Sequence, residues 1–391
     1  MTRFGGRRDL QTERPSADRS GGPLVEVTDL RTMFRTERGL VKAVDGVSFT
    51  LEQGRTLGVV GESGSGKTVL SRSVMGLLPG GKKTVREGSV RFEGREIGDR
   101  SPKEMRDIWG RDIAMVFQDP MTSLNPVVRI GRQITESLRH HLDMDKGAAR
   151  ETAIALLRSV GIPEPERRLD QYPFELSGGM RQRVTIAIAI SCGPKLLLAD
   201  EPTTALDVTV QAQILNLLQD KQRERHMAMI LVTHDLGVVA GRADDIAVMY
   251  AGKVVEAAPT AALFGSMRMP YTEALLNCIP RTTDPSHTRL SALGGRPPDL
   301  VSPPPGCRFA PRCPYAQERC RHEEPPLVYD ETGTHAWACW YPVGTPEGTA
   351  ALESNLSKGR PQALVAVGAG EDAALAADLA AAAETVGAEP L

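Results

Sequence analysis

Residues 56–68 read Thr-Leu-Gly-Val-Val-Gly-Glu-Ser-Gly-Ser-Gly-Lys-Thr. Thr56 to Val60 form a short apolar run of buried-strand type. Gly61 to Thr68 follow as a complete G-x-x-x-x-G-K-T pattern, and the apolar segment after Thr68 can be helical. This strand–loop–helix order gives the pattern its meaning. Gly61, Gly64 and Gly66, with Ser63 and Ser65 between them, let backbone N–H groups converge on an anion at a helix N-terminus. Lys67 adds a mobile charge for the β- and γ-phosphates, and Thr68 offers a hydroxyl to Mg²⁺. The stretch therefore predicts a nucleoside-triphosphate site in an α/β fold.

Outward from the loop, further strand text appears on both sides. LVEVTDL (24–30), VSFTL (47–51) and GSVRFEGREI (88–97) alternate apolar and polar residues or turn at glycines. IAMVFQ (113–118), LLLAD (196–200) and MILVTHD (229–235) are apolar runs of strand length, and IAVMYAGKVVE (246–256) predicts a hairpin around Gly252. Between Asn125 and Pro194 the text is helical, with apolar residues at Ile154, Leu156, Leu157 and Val160 ending at Gly161.

The composition, 391 residues with 41% hydrophobic and 25% charged, suits an ordinary globular chain of two or three domains. A formal net charge of −2 argues against binding nucleic acid through bulk charge. No uncharged apolar run is long enough to span a bilayer, and the N-terminus lacks the apolar region of a secretory signal. Residues 1–22 are polar and Gly/Arg-rich and are expected to be a disordered leader.

A phosphate loop needs an acid to hold its metal and a group to activate water. Asp200, ending the run LLLAD, supplies the first, and the adjacent Glu201 the second. Ser177, Gly178 and Gly179 open another predicted helix and make a second nest of backbone donors. One nucleotide has one γ-phosphate, so two nests imply a nucleotide held between two subunits.

On these residues the sequence resembles the ATP-binding-cassette (ABC) family, over about residues 24–340. Leu176 to Met180 match its signature, with Met180 where many members have Gln. The resemblance implies that Gln118 contacts Mg²⁺ and links to a membrane partner. It also implies that Thr204 to Asp207 cross a dimer interface, that His234 contacts the γ-phosphate and that Phe34 stacks on adenine. The implied fold is an α/β P-loop NTPase cassette: a RecA-like core, an antiparallel β subdomain and an inserted helical subdomain at about 119–194, all within 23–258.

Residues 259–343 form an extension in which Pro259 to Phe264, Pro270 to Leu276, Pro305 to Cys307 and Arg312 to Pro314 resemble the oligopeptide and dipeptide importer ATPases, a group overlapping with nickel importers. Cys307, Cys313, Cys320 and Cys339 fall among prolines in a segment that needs a staple. Disulfides do not suit a reducing cytosol; four thiolates could hold zinc or an iron–sulfur cluster, or remain free or oxidised thiols. The resemblance favours a [4Fe–4S] cluster, with Zn²⁺ as the alternative. Cys192 and Cys278 are expected as small buried hydrophobes, and His140, His141, His322 and His335 as surface residues. The Ala-rich residues 344–391 are expected to be a disordered tail, with at most a transient helix at 371–384.

The resemblance thus implies an ATP-hydrolysing subunit of an ABC importer of peptides. It would act with Mg²⁺ on the cytoplasmic face of the membrane. Its implied partners are a second, different cassette, two permeases and an extracytoplasmic substrate-binding protein, with no nucleic acid. The alternatives are a nickel-chelate importer ATPase and a soluble ABC ATPase with a redox-sensing cysteine module.

Overall fold

The computed structural model describes residues 22–78, 83–119, 123–204, 206–279 and 293–358. The expected leader, but for Gly22, and the expected helix at 371–384 lie outside these residues.

Among the described residues, twelve strands form two sheets. β1 (Val25–Thr36), β2 (Gly39–Leu51), β4 (Thr84–Phe92) and β5 (Arg95–Glu96) make an antiparallel sheet in the order β2-β1-β4-β5. The second sheet contains β3 (Thr56–Val60), β6 (Ile113–Val116), β7 (Leu196–Asp200), β8 (Ala228–Thr233), β9 (Asp245–Tyr250), β10 (Lys253–Pro259), β11 (Val328–Tyr329) and β12 (Ala336–Trp337). Its order is β11-β12-β10-β9-β3-β8-β7-β6. Strands β9, β3, β8, β7 and β6 run parallel, and every residue of β3, β7 and β8 is buried. Burial on both faces explains why these strands read as continuous apolar runs, whereas β1 and β2 alternate.

One face of the large sheet carries Leu57, Val59, Leu198, Ile230 and Val232, which pack with Leu70 and Val74 and with Val27 and Val47 of the antiparallel sheet. The other face, through Leu197, Ala199 and Leu231, packs on the helices between β6 and β7. The helix Ile130–Leu142 buries Ile130, Ile134 and Leu138, one residue per turn. Lys146–Ser159 is capped by Asp145, whose carboxylate accepts from the N–H groups of Gly147 and Ala148.

The extension is continuous with the cassette: β12 pairs with β10, continuing the core sheet at its edge. Three expectations are corrected. Residues 346–357, expected in the disordered tail, form the helix Pro346–Ser357, whose buried Asn355 donates to the carbonyls of Pro314 and Ala316. His335, expected at the surface, is buried, its Nε2 lying 2.8 Å from the fully buried Glu256 carboxylate. Cys192 and Cys278 are only partly buried and lie just past helix ends.

Candidate functional site

The parallel strands bring the expected residues to one edge of the sheet. Residues 61–68 follow the carboxyl end of β3, Gln118 follows β6, Asp200 ends β7, and His234 follows β8. That edge is where open α/β sheets bind ligands, because the chain leaves every parallel strand there as a loop.

Gly66 caps the helix Lys67–Met75 at φ +104, and a Cβ there would lie 2.2 Å from the Ala43 carbonyl oxygen. A Cβ on Gly61 would meet the Met249 carbonyl at 2.1 Å. Only glycine lets the loop pass this close to β2 and β9. Lys67 Nζ donates to the carbonyls of Gly61 (2.7 Å) and Glu62 (2.9 Å), and burial lowers its pKa against the pull of Glu201, Asp200 and Glu62. The buried Ser65 hydroxyl has no hydrogen-bond partner among the described residues. An unsatisfied polar atom inside a glycine-rich cradle fits a loop built to close round phosphate.

Thr68 Oγ1 donates to Asp200 Oδ1 at 3.1 Å. Burial raises the Asp200 pKa, with Glu201 adding to the rise, while Thr68, Arg72 and Lys67 oppose it. A buried carboxylate beside a hydroxyl is the donor set of a hard, oxygen-binding cation. Beside it, three side chains converge on Glu201 Oε2. Gln118 Nε2 donates at 3.1 Å, Thr204 Oγ1 donates at 3.0 Å, and His234 Nδ1 lies 3.5 Å away. The Glu201 N–H donates to Val232 O at 2.9 Å, tying β7 to β8 at this point.

Other expected residues stand elsewhere. Ser177 caps the helix Gly178–Ala189 by accepting from Met180 N, and Gly178 and Gly179 approach Leu206 and Val210. Asp207 caps the helix Val208–Glu224. Phe34 is half-buried on β1, paired with Val41 and Thr84. Among the described residues no hydrogen bond joins these groups to the phosphate loop. A single chain thus carries the loop and the signature as separate features.

Cys307, Cys313, Cys320 and Cys339 line one small cavity with Met269, Phe309 and Trp340. Burial pushes the Cys307 thiol up to about 11 and the Cys339 thiol up to about 12, and raises Cys313 and Cys320 as well. No three His, Cys, Asp or Glu side chains among the described residues are close enough to hold one metal ion. Neither the expected cluster nor the zinc alternative is therefore supported by the geometry of these side chains.

Residues 44–204 match the family described as ABC transporter, and residues 255–320 match the oligopeptide/dipeptide transporter C-terminal region. The oligopeptide transport ATP-binding protein OppD of Bacillus subtilis (strain 168) is 49% identical over 317 residues, 81% of this chain and 88% of that protein. The chain belongs to this family of ABC-transporter ATP-binding subunits. The dipeptide transport ATP-binding protein DppD of Escherichia coli (strain K12) is 48% identical to the subunit over 320 residues, 82% of this chain and 97% of that protein. Among solved structures, a dimeric ATP-binding cassette, MJ0796, in a post-hydrolysis state with ADP and Pi aligns at a TM-score of 0.54 and 26% identity. The match covers 60% of the subunit and 98% of that chain. The fold is therefore the ABC cassette, and the subunit is an ATP hydrolase.

Sequence reading missed Thr204 as a direct partner of Glu201, although it lies three residues beyond it. Glu62 was passed over as a variable position of the loop, and nothing in the sequence linked it to Arg312, 250 residues away.

Proposed function

We propose that this subunit powers an importer of oligopeptides or dipeptides, acting at the cytoplasmic face of the membrane beside two permeases and a second, different cassette. A substrate-binding protein would deliver the cargo. The convergence of Gln118, Thr204 and His234 on Glu201, beside the Thr68–Asp200 pair, carries the hydrolytic part. The relatives' names and the match at 255–320 support the cargo class.

In this reading Gly61, Ser63, Gly64, Ser65, Gly66 and Lys67 hold the ATP phosphates, and Phe34 stacks on adenine. Thr68, Asp200 and Gln118 hold Mg²⁺, which when bound neutralises phosphate charge. Glu201 takes the proton of the attacking water and His234 orients the γ-phosphate. Ser177, Gly178, Gly179 and Asp207 meet the nucleotide bound by the partner cassette, so each site is completed by preorganised donors from both chains. Cys307, Cys313, Cys320 and Cys339 hold a [4Fe–4S] cluster that staples the extension. Its thiols must lose protons to do so, against the burial that raises them.

The test is purification of the subunit from gently solubilised native membranes, followed by uptake of labelled peptide by the recovered complex in ATP-loaded vesicles. Co-purifying permeases and a second cassette, with ATP-driven peptide uptake, are expected. Uptake of a nickel chelate in place of peptide would overturn the cargo, and a soluble homodimer alone would overturn transport. Anaerobically prepared protein lacking stoichiometric iron and sulfide would remove the cluster.

A further inference from the structure

The extension grips the phosphate loop through Glu62. Arg312 lies on the turn Ala310–Arg312, with its side chain only 3% exposed. Its Nη1 and Nη2 donate to the two carboxylate oxygens of Glu62 at 2.6 and 2.8 Å, a bidentate fork. The remaining donors reach Tyr250 Oη (3.2 Å), Gly294 O (2.8 Å) and Leu293 O (3.2 Å). All five guanidinium N–H groups are thereby used. The hydroxyl of Tyr271, in the helix Pro270–Leu276, accepts from the Glu62 N–H at 2.8 Å. Both ends of Glu62 are thus held by residues of the extension.

Glu62 is not a passive loop position. Its carbonyl accepts from Lys67 Nζ at 2.9 Å and from Ser65 N at 3.1 Å. On the far side of the loop, Arg308 donates to the Ala251 carbonyl and pairs with Asp45, while Gly252 N donates to Ser65 O. Arg312 thus holds the loop directly, while Arg308, four residues away, holds the Ala251 carbonyl beside the Gly252 that pairs with Ser65.

We propose that Arg312 is a positioning residue for ATP: through its fork to Glu62 it holds the phosphate loop in its nucleotide-accepting shape. A loop without that anchor must be ordered when ATP binds, and the cost falls on affinity. Loss of ground-state affinity raises KM and leaves turnover at saturation alone. A hydrogen-bonded charged pair carries a factor of roughly 10 to 100.

The experiment measures KM and kcat for MgATP in the assembled transporter for Glu62→Gln, Arg312→Met, Arg312→Lys and the double variant Glu62→Gln/Arg312→Met. Glu62→Gln breaks the charged fork from the loop side without touching the extension, and so guards against misfolding of the Arg312 variants. Expected are a KM at least tenfold higher for each of the first two, kcat within about twofold, an intermediate KM for Arg312→Lys, and a double variant no worse than either single one. A wild-type KM in Glu62→Gln, a fall in kcat at unchanged KM, or additive effects in the double variant would each overturn the proposal. Glu201→Gln, measured alongside, shows that the turnover belongs to this site, which separates failure of the proposal from failure of the hydrolytic assignment.

Discussion

Glu201 sits at φ +44, a left-handed backbone that costs a residue with a side chain of order 1–3 kcal/mol. The strain is held by its N–H bond to Val232 and by the three side chains gathered on its carboxylate. An amide at this position keeps the shape and cannot accept the proton. Glu201→Gln should bind MgATP normally and lower kcat by at least about 10²-fold, read as phosphate release against nucleotide retention. Asp45, between Arg31 and Arg308, offers a pH test. Burial raises its pKa, but the hydrogen bond and charge of Arg308, with Lys253 and Arg31, outweigh that and hold it below the ordinary 3.8. Its contribution to stability is complete above that value and is lost as pH falls through the lower folded-state value. Denaturant titrations should show wild type more stable than Asp45→Asn near neutrality, with the gap closing below pH 3.8.

The helix Pro346–Ser357 shows how an element escapes a reading based on composition. It buries little beyond Gly348, Ala351 and Asn355, so it has no broad apolar stripe. Its start was nonetheless marked, with Thr345 as the cap and Pro346 in the first turn. Asn355 is the fastening, since it satisfies two backbone carbonyls beside Cys313. Asn355→Ala should weaken the docking of this helix by about 1–3 kcal/mol. In protein prepared with a chelator the effect should appear as faster alkylation of Cys313 and Cys339; an unchanged rate would show that the helix does not guard them. The rest of the extension is tied to the cassette as well: β12 continues the core sheet beside β10, and Arg312 holds Glu62 of the phosphate loop.

At the scale of the molecule, no hydrogen bond among the described residues joins the loop to the signature, and in the proposed reading a second cassette brings the missing half of each site. Ser177→Arg should leave MgATP binding by the isolated subunit intact and abolish its ATP-dependent association with the partner cassette, measured by sedimentation. Association at wild-type strength would place the signature away from the interface.

The loop at 61–68 was legible in the sequence because its form is local: a glycine-rich turn between a strand and a helix makes the same cradle wherever the chain folds. The placement of Asp200, Glu201 and His234 was legible for a related reason, since buried parallel strands print as apolar runs and the residues that end or follow them gather at the carboxyl edge. The four cysteines announced themselves by clustering within 33 residues. Long-range pairing has no such signature. The register of β12 against β10, the burial of His335 on Glu256 and the fork from Arg312 to Glu62 join residues far apart in the chain. Each depends on the summed packing of the extension against the core, and only the tertiary structure decides which charges meet when that surface closes.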